Sequence, residues 1–164
     1  MKKLAKQYGF TALLTISAFL CKGQQKEQPF PDVTIQTIDG NDIQTKDIFH
    51  KGEITIVSLW ATWCTPCQNE LDELNDKNWK SKNIRIIGIS VDDARSAGRV
   101  KSLVNGKAWD FDVFLDPNND LKRALNIGPI PYLAIVKNNK IVYSKTSYTP
   151  GSENELLKII KELK

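Results

Sequence analysis

The most constraining feature of this chain is an almost unbroken apolar run at residues 54–60, which reads Ile-Thr-Ile-Val-Ser-Leu-Trp. A strand that is buried on both faces carries such a run, whereas a strand with one face in water alternates apolar and polar residues. Residues 84–91, which read Ile-Arg-Ile-Ile-Gly-Ile-Ser-Val, have the same character. The two runs predict strands at the centre of a parallel or mixed sheet, which needs helices on both faces.

Shorter patterns complete the sheet and its helices. Residues 33–38 alternate as a half-buried strand does, and the Asp39-Gly40 pair after them is a strong hairpin turn signal. Further strands are predicted at residues 111–115, 132–136 and 141–144, with a hairpin loop at 137–140, and helices at residues 68–77, 94–104, 116–125 and from 152 onward. This order predicts an α/β fold with a central mixed β-sheet, helices on both faces and an N-terminal β-hairpin.

The first 23 residues have the pattern of an export signal. Three lysines, at positions 2, 3 and 6, precede an apolar stretch at residues 10–20. That stretch is roughly half of the ~20 residues that a membrane-spanning helix needs, so a signal peptide is favoured over a permanent anchor. We therefore expect a signal peptide at residues 1–23, a polar linker at 24–29 and one folded domain at 30–164.

Two ways of processing this segment remain open. Cleavage after Gly23 places small residues at the usual recognition positions. Alternatively, Cys21 is lipidated as in bacterial lipoproteins, although Leu20 occupies a position where a small residue is normally required. Only the second alternative would attach the protein to a membrane. Either way the expected location is the periplasm or cell envelope.

The excess of positive charge belongs to this segment. The chain has 23 Lys and Arg against 19 Asp and Glu, a formal net charge of +4, and four of these lysines lie in the first 23 residues, which contain no acidic residue. The body of the protein is therefore balanced, and its composition argues against a nucleic-acid partner.

The pair Cys64 and Cys67, separated by Thr65 and Pro66, is the main candidate for chemistry. Attachment of c-type haem needs a histidine directly after the pair, and Gln68 stands there. A structural zinc site needs four ligands, and the chain offers only Cys21 and His50 besides the pair. A purely structural disulfide closing so short a loop gains little stability. A redox-active pair remains the favoured interpretation.

The redox interpretation also has a positive mechanism. A buried strand ends at Trp60 and a helix begins near Cys64, so that the first cysteine lies at a helix N-terminus, where free N–H groups and the helix dipole stabilise a thiolate. We therefore expect Cys64 to attack a disulfide of the partner and Cys67, one turn later, to resolve the mixed disulfide. Pro66 is tolerated because it falls in the first turn.

Two motifs together resemble the TlpA/ResA-like branch of the thioredoxin family. One is Trp-Ala-Thr-Trp-Cys-Thr-Pro-Cys at residues 60–67 with Glu70 three residues later, and the other is Ile-Gly-Pro-Ile-Pro at residues 127–131. The resemblance covers the chain from about Phe30 onward. It implies a thioredoxin-like fold and an exported thiol–disulfide oxidoreductase that needs neither metal nor other cofactor.

The resemblance also implies where a protein substrate binds. It implies that Pro131 follows a cis peptide bond and lies beside the cysteines, with the Ile130 backbone pairing with an extended substrate segment. Trp63, Thr65 and Pro66 are the expected contacts on the cysteine side. Trp63 is expected to be exposed and Trp60 partly buried.

One departure from the family pattern concerns proton handling. Thioredoxin itself has a buried Asp six residues before its first cysteine, and here that position is Ser58. Glu70 follows Cys67 at i+3 and so shares a helix face with it. One hypothesis gives Glu70 the proton-handling or pKa-tuning role; the alternative is a solvated acid in the first helical turn.

The resemblance further suggests a reducing direction, with disulfides of envelope proteins such as apocytochromes c as substrates and a membrane-embedded thiol–disulfide protein as electron donor. A monomer is expected. Two rival functions stay open, namely a peroxiredoxin-like antioxidant enzyme and a non-catalytic peptide-binding module. The first needs a Pro-x-x-x-Thr-x-x sequence before its cysteine, which residues 59–61 do not provide, and the second would normally have lost one cysteine.

The remaining ionisable candidates are predicted to be structural. His50 lies in a polar loop and is expected to be exposed. Asp92 and Asp93 follow a buried strand, where a turn or capping role is more common than metal binding. Asp116 is expected to cap a helix whose first position is Pro117.

Overall fold

The computed structural model describes residues 27–163. The expected signal peptide, its cleavage position and Cys21 lie outside the described residues, so those expectations stay predictions. Within residues 27–163, no helix combines the length and the apolar character needed to cross a bilayer.

The described chain forms one mixed sheet with four helices. The strands are β1 (Gln28–Pro29), β2 (Thr34–Thr37), β3 (Asp42–Gln44), β4 (Ile54–Trp60), β5 (Ile84–Ser90), β6 (Asp112–Leu115), β7 (Tyr132–Lys137) and β8 (Lys140–Thr146). The helices are α1 (Thr65–Asn75), α2 (Ala97–Lys107), α3 (Asp120–Ala124) and α4 (Glu153–Glu162), and the strand order is β1-β8-β7-β4-β5-β6-β2-β3.

The centre of the sheet confirms the prediction from residues 54–60. β4 pairs with β5 in parallel and with β7 in antiparallel orientation, and all seven residues of β4 are buried. Since successive side chains of a strand point to opposite faces, both faces of β4 are covered. The predicted α/β fold with a central mixed sheet is therefore confirmed, as is the N-terminal hairpin of β2 and β3.

Three helices begin three or more residues from their predicted starts, and one of them is α2, which starts at Ala97 rather than at residue 94. α1 starts at Thr65, three residues before the predicted start, because Cys64 acts as its N-cap. α3 starts at Asp120, so the prediction that Pro117 occupies its first position is wrong. The Asp116 carboxylate nevertheless satisfies this helix start, accepting hydrogen bonds from the backbone N–H groups of Leu121 and Lys122 at 3.2 and 3.0 Å.

Two features of the sheet near β8 add detail to the prediction. Gln28 and Pro29, which the sequence places in the linker, pair with Ile141 and Lys140 of β8. The β7–β8 turn consists of Asn138 and Asn139, both with left-handed φ angles of 51° and 58°. Asparagine tolerates this conformation, which the tight hairpin turn requires.

Three aromatic residues, Trp60, Trp109 and Phe111, pack together beside Gly88 of β5. Trp60 is fully buried, so the expectation that it is partly exposed is wrong. Its ring packs edge-on against Trp109 at a centroid distance of 5.0 Å, and Trp109 stacks on Phe111 at 5.3 Å. A Cβ at Gly88 would lie 3.2 Å from Trp60 Nε1 and 3.3 Å from Phe111, so glycine is needed there for the close approach of the rings.

Candidate active site

The register of the three central strands brings the candidate residues to one edge of the sheet. β4 and β5 run in parallel, so Trp60 and Ser90 end side by side. Tyr132, the first residue of β7, lies opposite Leu59 of β4. The loop after Trp60, the residues after Ser90 and the residue before Tyr132 therefore meet at this edge.

The two cysteines form a disulfide with an Sγ–Sγ distance of 2.02 Å and a Cα–Cα distance of 5.3 Å. Cys64 is the N-cap of α1, and its Sγ accepts the backbone N–H of Cys67 at 3.3 Å. This confirms the predicted place at a helix N-terminus, where N–H groups stabilise negative charge on sulfur. Cys67 is fully buried whereas Cys64 is 6% exposed, so a partner can reach the first sulfur before the second.

The residues expected to contact a substrate flank this disulfide. Trp63 is 67% exposed and is the large apolar side chain that residues 27–163 leave most open to solvent, while Thr65 and Pro66 are exposed beside it. The Ile130–Pro131 peptide bond is cis, as the resemblance implies. Pro131 is buried and its carbonyl accepts the Ser147 N–H at 3.1 Å, whereas Ile130 is half-buried.

Glu70 is buried within the protein, so the alternative of a solvated first-turn acid is wrong. It is 3% exposed, and its Oε2 accepts a hydrogen bond from Ser58 Oγ at 2.9 Å. Lys145 Nζ lies 3.8 Å from the other oxygen, Oε1. Burial raises the pKa of Glu70, while the Ser58 hydrogen bond and the charge of Lys145 oppose that rise.

Asp92 has a role that the sequence prediction missed. It is 4% exposed, and its carboxylate accepts the Thr62 N–H and hydroxyl, both at 2.7 Å, and the Ser90 hydroxyl at 2.8 Å. The Thr62 carbonyl in turn accepts a hydrogen bond from Gln68 Nε2 at 2.8 Å. These contacts hold the loop that presents Cys64. The sequence signal for this role was an acidic residue just after a buried strand that pairs in parallel with β4, because such a residue lies beside the loop that follows β4.

The other ionisable candidates lie away from the disulfide chemistry. His50 is exposed, as predicted. Asp93 is exposed and pairs with Arg95 at 2.8 Å. Residues 27–163 contain no cluster of three or more His, Cys, Asp or Glu residues that could hold a metal ion. The reactive group that the geometry offers is the disulfide itself, which can accept two electrons and two protons by thiol exchange.

Comparisons with known proteins agree with this geometry. The AhpC/TSA family model matches residues 27–145. The thiol-disulfide oxidoreductase ResA of Bacillus thuringiensis (strain Al Hakam) is 30% identical over 115 residues, which cover 68% of this chain. That match spans 64% of the relative's own length.

Solved structures show the same fold. The solution structure of a thioredoxin-like protein from Porphyromonas gingivalis is 40% identical, with a TM-score of 0.73 over 82% of this chain and 90% of that one. A thiol-disulfide oxidoreductase from Bacteroides fragilis is 20% identical, with a TM-score of 0.65 over 81% of this chain and 99% of that one. The second likeness concerns the fold alone.

Proposed function

Because the chain belongs to the AhpC/TSA family and has a thioredoxin-like fold, we propose that it is a thiol–disulfide oxidoreductase whose redox group is Cys64–Cys67. The observation that carries this proposal is the position of the disulfide. One sulfur lies at a helix N-terminus close to the surface, and the other is buried one turn further along.

In the reducing direction, the first step belongs to Cys64. Its thiolate attacks one sulfur of a partner disulfide, forming a mixed disulfide while the partner's second sulfur leaves as a thiolate and takes up a proton. The backbone N–H of Cys67, which contacts Cys64 Sγ, favours the thiolate before attack.

The second step belongs to Cys67. Its thiol gives up a proton, and the resulting thiolate attacks Cys64 Sγ, which restores the Cys64–Cys67 disulfide and releases the partner as a dithiol. Two electrons thereby pass from this protein to its partner. We assign Glu70 as the acceptor of the Cys67 proton, since it is a buried carboxylate on the same helix face as Cys67.

Recognition of the partner uses the surface around the disulfide. The exposed ring of Trp63 offers an apolar contact, Thr65 and Pro66 are open to a docked chain, and the backbone at Ile130 adjoins the same edge of the sheet. An extended peptide that adds to this backbone would present its disulfide to Cys64.

The cellular setting is part of the proposal. We infer that the chain is exported to the cell envelope by its N-terminal 23 residues, as a monomer that is lipid-anchored if Cys21 carries the lipid. In that compartment it reduces protein disulfides, such as those of apocytochromes c, and a membrane-embedded thiol–disulfide protein returns it to the dithiol. Support comes from the lysines and apolar stretch of that segment, and from Pro66 and Ile130, which resemble those of reducing family members.

An insulin-reduction assay tests the activity. The wild-type protein and Cys21→Ser are expected to reduce insulin with dithiothreitol as donor, whereas Cys64→Ser is expected to be inactive. Cys67→Ser is expected to accumulate mixed disulfides, and expressing it in cells would capture the natural partners for identification. Equal activity of Cys64→Ser and wild type would contradict the proposal, and rapid consumption of hydrogen peroxide with a thiol donor would favour the peroxiredoxin-like alternative.

A further inference from the structure

A lysine on β8 faces the buried carboxylate of Glu70. In the strand register, Ser58 of β4 lies opposite Leu133 of β7, and Leu133 lies opposite Lys145 of β8. Residues directly opposite one another in antiparallel strands project from the same face of a sheet. Ser58 and Lys145 therefore approach Glu70 of α1 from one face, two strands apart.

Lys145 is positioned to balance the negative charge of Glu70. Its side chain is only 14% exposed, and its Nζ donates a hydrogen bond to Ser152 Oγ at 2.6 Å while lying 3.8 Å from Glu70 Oε1. That carboxylate oxygen is buried and has no hydrogen-bond partner among the described residues. The positive charge of Lys145 is thus what faces the otherwise unsatisfied side of the carboxylate.

The neighbouring charged groups do not replace Lys145. On α1, Glu73 adds negative charge near Glu70 and is bonded to the Tyr148 hydroxyl. Lys77, two residues after the end of α1, pairs with Glu153 of α4 at 3.3 Å. Among residues 27–163, the cation that forms an ion pair with Glu70 is Lys145.

We propose that Lys145 is a positioning residue of the thiol–disulfide reaction, because its ammonium keeps Glu70 ionised and therefore ready to accept the Cys67 proton when the dithiol protein reduces its partner. This inference rests on the proposed function. A carboxylate that is already ionised can accept the Cys67 proton, whereas a buried carboxylic acid cannot. Without a nearby cation, burial favours the acid.

The direct test is a titration of Glu70 in the oxidised protein, where the cysteines do not titrate. Carboxyl carbon-13 NMR would follow Glu70 in the wild type, with its resonance assigned by comparison with Glu70→Gln. In Lys145→Met the titration midpoint is expected to rise by about one pH unit or more. Lys145→Arg, which restores the charge, is expected to return the midpoint towards that of the wild type.

A matched control separates this effect from a general loss of charge. Lys140 lies on the same strand and pairs with exposed Glu27, so Lys140→Met is expected to leave the Glu70 midpoint unchanged. Should Lys145→Met fail to fold, Lys145→Gln gives the same test, because glutamine can still hydrogen-bond Ser152 without carrying charge. An unshifted Glu70 midpoint in a folded, uncharged variant would overturn the proposal.

A second measurement follows the consequence for the reaction. In the dithiol protein, the rate of disulfide reduction as a function of pH is expected to show its acidic limb at higher pH in Lys145→Met than in wild type, with Lys145→Arg restoring it. Normal insulin reduction with an unshifted Glu70 midpoint would refute only the role of Lys145. A shifted midpoint in a protein that cannot reduce insulin would refute only the oxidoreductase function.

Discussion

At the residue scale, Ser58 departs from the thioredoxin pattern and contacts a buried acid. Thioredoxin places a buried Asp at this position of its strand, whereas here Ser58 donates a hydrogen bond to Glu70, which comes from the helix above. In this protein the buried acid lies on the helix, and the residue at the strand position donates a hydrogen bond to it. A carboxylate buried in this way is costly to ionise unless such partners are present.

The raised pKa of Glu70 has a consequence for stability that can be measured. When the folded pKa of an acid lies above its unfolded value, the folded state holds the proton more tightly, so the group's contribution to stability falls as pH rises from the unfolded pKa, near 4.5, through the folded one. Glutamine does not titrate. The free energy of unfolding of oxidised Glu70→Gln, measured relative to that of the wild type, is therefore expected to be larger at pH 7 than at pH 4.

Urea denaturation of both proteins at the two pH values measures this difference. Glu155→Gln provides a control at an exposed position on α4 and is measured in the same way. A difference between Glu70→Gln and wild type that is constant or shrinks with pH would contradict the raised pKa.

At the scale of elements, the site depends on how neighbouring strands end. β4 and β5 terminate side by side, so the residue pair after β5 can hold the loop after β4. Asp92 does this through Thr62, and Gln68 of α1 adds a hydrogen bond from the other side. The position of Cys64 is therefore set by an adjoining strand as well as by its own helix.

Removing the Asp92 carboxylate should loosen this loop and destabilise the protein. Asp92→Ala leaves the half-buried donors of Thr62 and the buried hydroxyl of Ser90 without their acceptor, which is expected to cost about 1–3 kcal/mol in the free energy of unfolding. The adjacent Asp93 is exposed, so Asp93→Ala is expected to change it by no more than about 0.5 kcal/mol. Chemical denaturation compares the two; equal losses would contradict the specific role of Asp92.

Packing between β5 and the aromatic cluster allows a second test at this scale. A methyl group at Gly88 would press on Trp60 and Phe111, so Gly88→Ala is expected to cost about 1–3 kcal/mol. Apart from its two chain neighbours and the backbone of its own helix, nothing lies within 4 Å of a carbon added at Gly106 in α2, and Gly106→Ala is expected to stabilise the protein by up to about 1 kcal/mol. Thermal unfolding should move in opposite directions for the two variants.

At the scale of the whole molecule, the first strand of the described chain pairs with the last strand at one edge of the sheet. β1 adds to the edge formed by β8, and Phe30 after it is buried, packing edge-on against Phe49 at 4.9 Å. Its N–H donates to the Asn139 carbonyl at 2.9 Å. The folded domain thus includes residues that by composition belong to the linker.

A truncation series tests where the domain begins. A chain starting at residue 24 is expected to unfold in one cooperative transition, because it retains every described contact. A chain starting at residue 32 loses β1 and the buried ring of Phe30, and is expected to unfold at a lower urea concentration. Phe30→Ala in the longer chain isolates the ring. Identical midpoints for both truncations would place the true boundary after residue 31.

The sequence by itself determined the central strand at residues 54–60 and the place of Cys64 near a helix N-terminus, because both depend on local composition and spacing, and the family resemblance implied the cis bond before Pro131. The full burial of Trp60, the loop contact of Asp92 and the ion pair of Glu70 with Lys145 were decided by tertiary structure. Each of these joins residues that are distant in the chain, or depends on which strand lies beside which. Strand order and register are properties of the assembled sheet, so no local pattern contains them.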